Sequence, residues 1–243
     1  MDKIEEIFDK MDYWRNLPKY ELERRSDLFF ALYLKDVIAA KFKPIKEQVI
    51  PEFPIHKATI KPFFDGALSC DGEESCNVDF VAFAQDNSEC YFVELKTDNA
   101  SERDKQDKYL AAAKKAKLKL LIQNLTNKIF LATKEKRKYF QLFKLLEDAG
   151  IVNLPTNLQT KLFSPHPQGS SDLIRQIKDV CQIDPINIVY ILPNDTTKLK
   201  KNDNVVITFD EFSNIISKYT DPVTTRFRQS LQTWSKTKAG NQS

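Results

Sequence analysis

Apolar residues recur at helical spacing early in the chain. Within residues 20–42, Phe30, Leu34 and Val37 fall on one stripe, which predicts a first helix. The next stretch, residues 44–62, carries four prolines and only short apolar runs. Because proline donates no backbone hydrogen bond, this stretch indicates irregular chain or an edge strand.

Two short runs with strand character follow. Residues 78–84 read VDFVAFA and residues 90–96 read CYFVELK, and the polar turn QDNSE separates them. Runs rich in β-branched and aromatic residues on either side of such a turn predict a β-hairpin. Directly opposed residues of a regular hairpin have a constant index sum. If the turn is centred on Asp86 and Asn87, residue 79 lies opposite residue 94.

Helical and strand patterns alternate in the second half of the chain. Ser101 and Asp104 form a capping box that predicts the start of a helix. The apolar stripe of that helix comprises Leu110, Ala113, Ala116 and Leu120. Later patterns predict helices at residues 134–149, 172–181 and 210–218, strands at 187–192 and 205–209, and a short helix at 225–234.

This order of elements predicts an α/β sandwich in which helices flank a mixed central β-sheet. We expect a single domain over residues 1–243, with a core at about 18–218 and a polar C-terminal tail at 219–243. No internal repeat is visible in the sequence.

The composition is that of a globular protein. Of the 243 residues, 42% are hydrophobic, 29% are charged and only five are glycine, which argues against low-complexity disorder. No apolar run is long enough for a membrane span, and the first residues lack the apolar region and cleavage site of a signal peptide. We therefore expect a cytoplasmic protein without a membrane partner.

The cysteines are expected to be reduced thiols, since the chain shows no export signal. They are Cys70, Cys76, Cys90 and Cys181. A zinc site at Cys70 and Cys76 would need two further ligands, and the two histidines are remote in sequence, so zinc is a weak alternative.

Basic residues are clustered although the net charge is only +3. The clusters are residues 114–119 (KKAKLK), 134–138 (KEKRK) and 198–201 (KLKK). Such clusters are typical of a phosphate-binding surface, and equally of solvated helix faces.

The hairpin carries the residues with the clearest chemistry. Side chains on a strand alternate faces, so Glu94 and Lys96 share one face. By the index sum, Asp79 faces Glu94, and opposed Cβ atoms lie about 5 Å apart, where two carboxylates repel. Carboxylate ligands favour Mg²⁺, with Mn²⁺ as a substitute, and a nearby lysine can assist an attacking water. The alternative is a solvated strand face, because Glu-x-Lys alone is a weak signal.

Val78-Asp79, a gap of fourteen residues and then Glu94-Leu95-Lys96 resemble the PD-(D/E)xK nuclease superfamily, which has the restriction-endonuclease-like fold. Val78 stands where the family often has proline. The resemblance implies that Asp79, Glu94 and the Leu95 backbone carbonyl bind one or two divalent metals, and that Lys96 assists the water.

The resemblance also suggests supporting residues. Members often place a glutamine on the helix after the motif, where this chain has Gln106, and an acid on the first helix, where it has Glu23 and Asp27. An exposed glutamine, and acids that favour a helix N-terminus, explain these residues equally well. Asp65, before Gly66, is a rival for the aspartate role, although turn chemistry explains it.

We expect a nuclease, a hydrolase that cleaves DNA as an endonuclease. The expected phosphate-contacting residues are Arg103, Lys105, Lys114, Lys115 and Lys117. An RNA or single-strand nuclease and a non-catalytic nucleic-acid-binding protein remain alternatives. Because one site cuts one strand, double-strand cleavage would imply a homodimer or two successive nicks.

Overall fold

A computed structural model of the full chain describes residues 3–15, 17, 21–66, 75–97, 104–165, 169–179, 182–194 and 204–236, with only the backbone at residues 104 and 105. The chain forms two compact units whose segments alternate in sequence. Unit 1 comprises Met1–Ile45, Val93–Arg103 and Ile188–Ser243, and unit 2 comprises Lys46–Phe92 and Asp104–Asn187. A single domain over the whole chain stays a prediction.

In the described residues the helices are α1 (Lys3–Trp14), α2 (Leu22–Lys41), α3 (Lys57–Ile60), α4 (Asp104–Asn124), α5 (Lys136–Asp148), α6 (Leu158–Phe163), α7 (Ser170–Arg175), α8 (Phe209–Ile215) and α9 (Pro222–Ser235). The strands there are β1 (Ile50–His56), β2 (Ser75–Phe83), β3 (Cys90–Leu95), β4 (Val152–Asn153), β5 (Lys178–Asp179), β6 (Ile186–Leu192) and β7 (Val205–Thr208). Short 3₁₀ segments lie at Lys61–Phe63 and Ile216–Lys218, and a π-helical turn at Leu125–Phe130 follows α4.

The main sheet has five strands in the order β1-β2-β3-β6-β7. Strands β1 and β2 are antiparallel, whereas β6 and β7 are parallel. Strands β3 and β6 are joined by hydrogen bonds from Cys90 N to Pro185 O and from Lys96 N to Ile191 O. The donor and acceptor residue numbers differ by the same amount in both bonds, which is the pattern of parallel strands. The predicted mixed sheet flanked by helices is therefore confirmed.

The edge strand β1 explains the prolines of the predicted irregular stretch. Pro51 and Pro54 lie within β1, which stands at one end of the strand order. An edge strand tolerates proline because one row of its backbone groups needs no partner strand. Of the two predictions for this stretch, the edge strand is confirmed.

The β2–β3 turn has the predicted register. Ala84 N donates to Glu89 O at 3.0 Å, and these two residues have the same index sum as residues 79 and 94. Asn87 N donates to Ala84 O, and Asn87 has a φ of 57°, a left-handed conformation that asparagine tolerates better than most residues. The turn chemistry therefore fixes which residues of β2 and β3 oppose each other.

Helix α2 supplies the predicted apolar stripe of unit 1. Phe30, Leu34 and Val37 have no exposed surface. The ring centroid of Phe30 lies 5.4 Å from that of Phe209 and 5.2 Å from that of Phe227. These contacts join α2, α8 and α9 within one aromatic core.

Helices α1 and α9 are held together by a buried charge cluster that the sequence analysis missed. Arg226 is only 7% exposed and donates to Asp9 at 2.7 Å and to Asp12 at 2.8 Å. Asp12 also accepts from Trp234 Nε1 at 2.7 Å and from the Ser230 hydroxyl at 3.2 Å. Trp234 is fully buried, so α9, which lies within the segment expected to be a polar tail, packs into the core of unit 1.

Helix α4 is interrupted at Lys117, whose φ of 65° and ψ of 150° are not helical. Before the break the buried positions include Ala113 and Ala116, and after it they include Leu118 and Leu121. The break therefore changes which positions are buried, and Leu120, which was predicted to continue the stripe, is only half-buried. The capping residue Ser101 lies outside the described residues.

The predictions of helices at residues 134–149 and 172–181 differ in outcome. Helix α5 ends as predicted before Gly150, whose φ is 69° and whose N–H donates to Glu147 O. The prediction of helix over 172–181 is wrong at residues 176–179, and residues 180 and 181 lie outside the described residues. There the chain turns, and Lys178–Asp179 pair with Val152–Asn153 as an antiparallel ribbon, which gives their backbone groups partners outside a helix.

Two smaller observations bear on the cysteines and on membranes. Cys76 and Cys90 form no disulfide, and burial raises the pKa of the Cys90 thiol well above its ordinary value. Cys70 and Cys181 lie outside the described residues.

Among the residues that are described, none of the helices is both long and apolar enough to cross a membrane.

Candidate metal centre

Two charged residues lie at the buried end of β3. Glu94 is completely buried and Lys96 is 7% exposed. Strand alternation places both on one face, and the hydrogen bond from Lys96 N to Ile191 O keeps the chain in sheet register one residue beyond β3. Burial of an ionised group is costly unless an opposite charge lies close, so each of these two side chains needs an oppositely charged neighbour.

Three carboxylates come together around Glu94. One carboxylate oxygen from each of Glu23, Asp79 and Glu94 lies within 4.8 Å of the others. Asp79 lies on β2, the neighbour of β3 in the sheet, and Glu23 lies in the first turn of α2. The close approach of Asp79 and Glu94 follows from the register that the turn fixes.

Lys96 provides the cation of this group. Its Nζ lies 2.5 Å from Glu94 Oε1 and 3.7 Å from Glu23 Oε1. The ammonium therefore contacts two of the three carboxylates, and their mutual repulsion is partly balanced without a metal ion. The four side chains together carry three negative charges and one positive charge in a largely buried place.

The donor set fits a divalent metal. The three side chains offer only carboxylate oxygens, which are the ligands of hard cations such as Mg²⁺ and Mn²⁺. Oxygens that share one Mg²⁺ at about 2.1 Å can lie up to roughly 4.2 Å apart. The observed separation of up to 4.8 Å would therefore need to shorten by less than 1 Å.

The other predicted acids lie elsewhere. Asp27 Oδ1 accepts from Leu28 N at 2.7 Å, and Asp27 is not part of the acidic group. Asp65, the rival aspartate, is 83% exposed and lies 3.6 Å from Lys115. Of the alternatives that the sequence left open, the structure brings Glu23 and Asp79 beside Glu94.

The two remaining predicted site residues have defined positions. Leu95 is the last residue of β3 and stands between Glu94 and Lys96 in the chain. Its side chain is buried. Gln106 is half-buried in the first turn of α4. The roles of the Leu95 carbonyl and of Gln106 stay predictions.

The predicted phosphate-contacting residues differ in exposure. Lys115 and Lys117 are exposed, and each has an acidic neighbour, Asp65 at 3.6 Å and Asp184 at 2.7 Å. Lys114 is half-buried. Arg103 and the side chain of Lys105 lie outside the described residues. Exposed ion pairs are weak, so the neighbours do not prevent contacts with phosphates.

Comparisons of the chain with protein-family models, with curated proteins and with solved structures find no significant match. Any function assigned to this chain therefore rests on its own residues and on the geometry of the acidic group.

Proposed function

We propose that this chain is a metal-dependent nuclease of the PD-(D/E)xK type, with the restriction-endonuclease-like fold and with DNA as its expected substrate. The observation that supports the proposal best is the cluster of Glu23, Asp79 and Glu94 with Lys96 at its edge. Three carboxylates are unfavourable in a partly buried place, and a divalent cation would compensate them.

Each residue of the cluster has a distinct part in this proposal. Asp79 and Glu94, with Glu23 and the Leu95 carbonyl beside them, would hold Mg²⁺ or Mn²⁺. The metal would polarise a phosphate and lower the pKa of a bound water. Lys96 lies within hydrogen-bond distance of Glu94, where its ammonium can orient the attacking water and balance charge on the phosphate.

The exposed lysines of α4 would add affinity rather than chemistry. Lys115 and Lys117 are both more than half exposed, so a phosphate backbone can reach them. Contacts of this kind do not read sequence, and they weaken as salt rises because bound counterions are released from the nucleic acid.

The test is a cleavage assay on plasmid, linear duplex, single-stranded DNA and RNA at equal concentration, with Mg²⁺, with Mn²⁺ and with a chelator. Wild type should cut at least one DNA substrate only when metal is present. Asp79→Asn should abolish cleavage. Asp65→Asn removes an acid outside the cluster and should leave cleavage unchanged, so it is the matched control.

Three outcomes would contradict the proposal. They are no cleavage of any substrate, cleavage that persists in the chelator, and equal cleavage by wild type and Asp79→Asn. Preferential cleavage of RNA or single strands would retain the metal centre and change the substrate. Binding of nucleic acid without cleavage would instead favour a non-catalytic binding protein.

A further inference from the structure

Unit 2 has a second polar site, which lies apart from the acidic cluster in the sequence. A depression of about 350 Å³ lies between the second half of α4, with its π-helical turn, and the chain that follows α7. Its lining includes the polar residues Lys119, Gln123, Asn127, Arg175, Lys178 and Asp179. This volume falls in the range of sites that enclose small molecules.

The break at Lys117 explains why α4 turns a polar face to the depression. After the break the buried positions are Leu118, Leu121 and Ile122, which leaves the opposite face to solvent. Lys119, Gln123 and Asn127 follow at intervals of four residues, so they lie along one side of the helix. Ile122, which is 2% exposed, contributes to the apolar floor.

The other wall is formed where the predicted helix 172–181 ends early. Lys178 and Asp179 form β5, which is held against β4 by antiparallel pairing. Arg175 donates to Asp172 at 2.9 Å, and both side chains are more than half exposed. Since exposed ion pairs contribute little, Arg175 can exchange this partner for a ligand at small cost.

The lining has a definite chemical preference. Three of the lining residues are cationic, Lys119, Arg175 and Lys178, and one is a carboxylate, Asp179. Cations of this kind bind phosphate through charge-assisted hydrogen bonds, and arginine can do so with two parallel bonds. The carboxylate accepts from hydroxyl groups, and the amides of Gln123 and Asn127 offer both donors and acceptors.

We propose that this depression binds a nucleotide unit. The phosphate lies against Lys119, Arg175 and Lys178, and a sugar hydroxyl donates to Asp179. The unit comes either from a free mononucleotide or from the end of a nucleic-acid strand. The site requires no metal and lies outside the acidic cluster, so the inference goes beyond the proposed nuclease activity and does not depend on it.

The experiment is calorimetric titration of the full-length chain in a chelator, so that failure of the metal centre cannot affect the result. The probes are a 5′-mononucleotide, its nucleoside, inorganic phosphate and a short single-stranded oligonucleotide with a 5′-phosphate. The mononucleotide should bind more tightly than the nucleoside and than inorganic phosphate. Tighter binding of the oligonucleotide would assign the site to a strand end, and weaker binding would assign it to free nucleotides.

Substitutions locate the binding. Lys119→Gln with Lys178→Gln should weaken mononucleotide binding by about tenfold or more, because two charge-assisted hydrogen bonds are lost. Lys128→Gln, an exposed lysine of the same π-helical turn that does not line the depression, should leave it unchanged. No binding of either phosphorylated probe, or equal weakening by the control, would overturn the proposal.

Discussion

Lys96 sets the charge balance of the acidic cluster. Its ammonium contacts Glu94 and Glu23, so the metal-free protein already has one positive charge among three carboxylates. Asp79 and Glu94 are expected from the sequence to repel each other, and the position of Lys96 corrects this expectation in part. A divalent metal bound here, as proposed, would be a second source of positive charge for the same oxygens.

Replacement of Asp79 by asparagine tests the metal ligands directly. Asp79→Asn removes one of three like charges, so we expect folding to survive in metal-free solution. Wild type should gain about 2.7 kcal/mol of stability when Mg²⁺ is at a hundred times its dissociation constant, whereas the variant should gain far less. The measurement is the melting temperature with and without metal. An equal gain in both proteins would exclude Asp79 as a ligand.

Replacement of Lys96 by methionine removes a positive charge from the cluster, whereas Asp79→Asn removes a negative one. Glu94 is fully buried, so losing the ammonium at 2.5 Å should destabilise the metal-free protein by about 3 kcal/mol. Mg²⁺ should restore more stability to this variant than to wild type, because the metal supplies the missing positive charge. Urea denaturation with and without Mg²⁺ measures both effects.

Lys115→Met is the matched control for that experiment. Its ammonium is 54% exposed and lies 3.6 Å from Asp65, and exposed pairs are worth less than about 1 kcal/mol. A metal response in Lys96→Met no larger than that in the control would show that Lys96 and the metal do not share the same carboxylates.

The sequence predicted part of the cluster and missed part of it. Asp79 and Glu94 could be paired because strand alternation and turn length are local rules, and both held in β2 and β3. Glu23 and Asp27 could not be distinguished, since they lie one turn apart on the same helix face. The choice depends on how α2 packs in unit 1, and no local pattern specifies that packing.

Among the elements, α4 contains a conformation that its sequence does not favour. Lys117 has a φ of 65° and a ψ of 150°, a region that residues with a side chain rarely adopt and that glycine enters readily. No break is predicted at Lys117 from the sequence, because the surrounding residues, KKAKLK, all have strong helix propensity. Tertiary burial of Leu118 and Leu121 prevails over this propensity.

Lys117→Gly should therefore stabilise the protein by about 1 kcal/mol, although glycine normally weakens helices. Lys117→Ala keeps the Cβ and loses the same ion pair to Asp184, so it should be neutral or slightly destabilising. Urea denaturation of the two variants and wild type separates strain from charge. Glycine that is less stable than alanine would show that the position is not strained.

The second feature at this scale is the α1–α9 clamp, the pairing of Arg226 with Asp9 and Asp12. Arg226→Met should lower the free energy of unfolding by about 3 kcal/mol, because Asp12 then keeps a largely buried charge without its cation. Lys218→Met removes an exposed cation that contacts Asp36 and should cost less than about 1 kcal/mol. Equal losses in the two variants would show that burial does not strengthen the clamp.

Long periodic elements were predictable and short or terminal ones were not. The stripe of α2, the β2–β3 hairpin and the glycine end of α5 follow from local patterns that tertiary packing reinforces. The β4–β5 ribbon has only two residues per strand, too few to show a period. Helix α1 was not predicted, although Ile4, Phe8 and Met11 recur at helical spacing and gave a local signal for it.

At the scale of the whole molecule, both units depend on ionised carboxylates. Burial tends to raise the pKa of Glu211 in unit 1, but hydrogen bonds from Lys41 and Thr208 outweigh it and the pKa is lowered. For Glu147 in unit 2, bonds from Lys144 and from Leu154 N likewise outweigh burial and lower the pKa. Each folded unit therefore holds these carboxylates deprotonated more strongly than the unfolded chain does.

Acid should weaken both units in the same range of pH. Because the folded pKa values lie below the ordinary value of 4.5, this stabilisation is complete above that pH and is lost as pH falls through the lowered values. The urea midpoint should be flat above about pH 5 and fall below it. Glu147→Gln should flatten the fall, and an unchanged pH profile would show that Glu147 does not contribute.

The clamp between α1 and α9 also bears on how the protein is made. A ribosome synthesises α1 before α9, so the pair of Asp12 and Arg226, which are 214 residues apart, can form only after a delay. At about 5–20 residues per second, that delay is roughly 10–40 s. Throughout it the apolar side of α1, with Phe8 and Met11, has no α9 to cover it, and a chaperone could hold it. The residues of unit 2 have all been synthesised by position 187, so we expect this unit to fold first on the nascent chain.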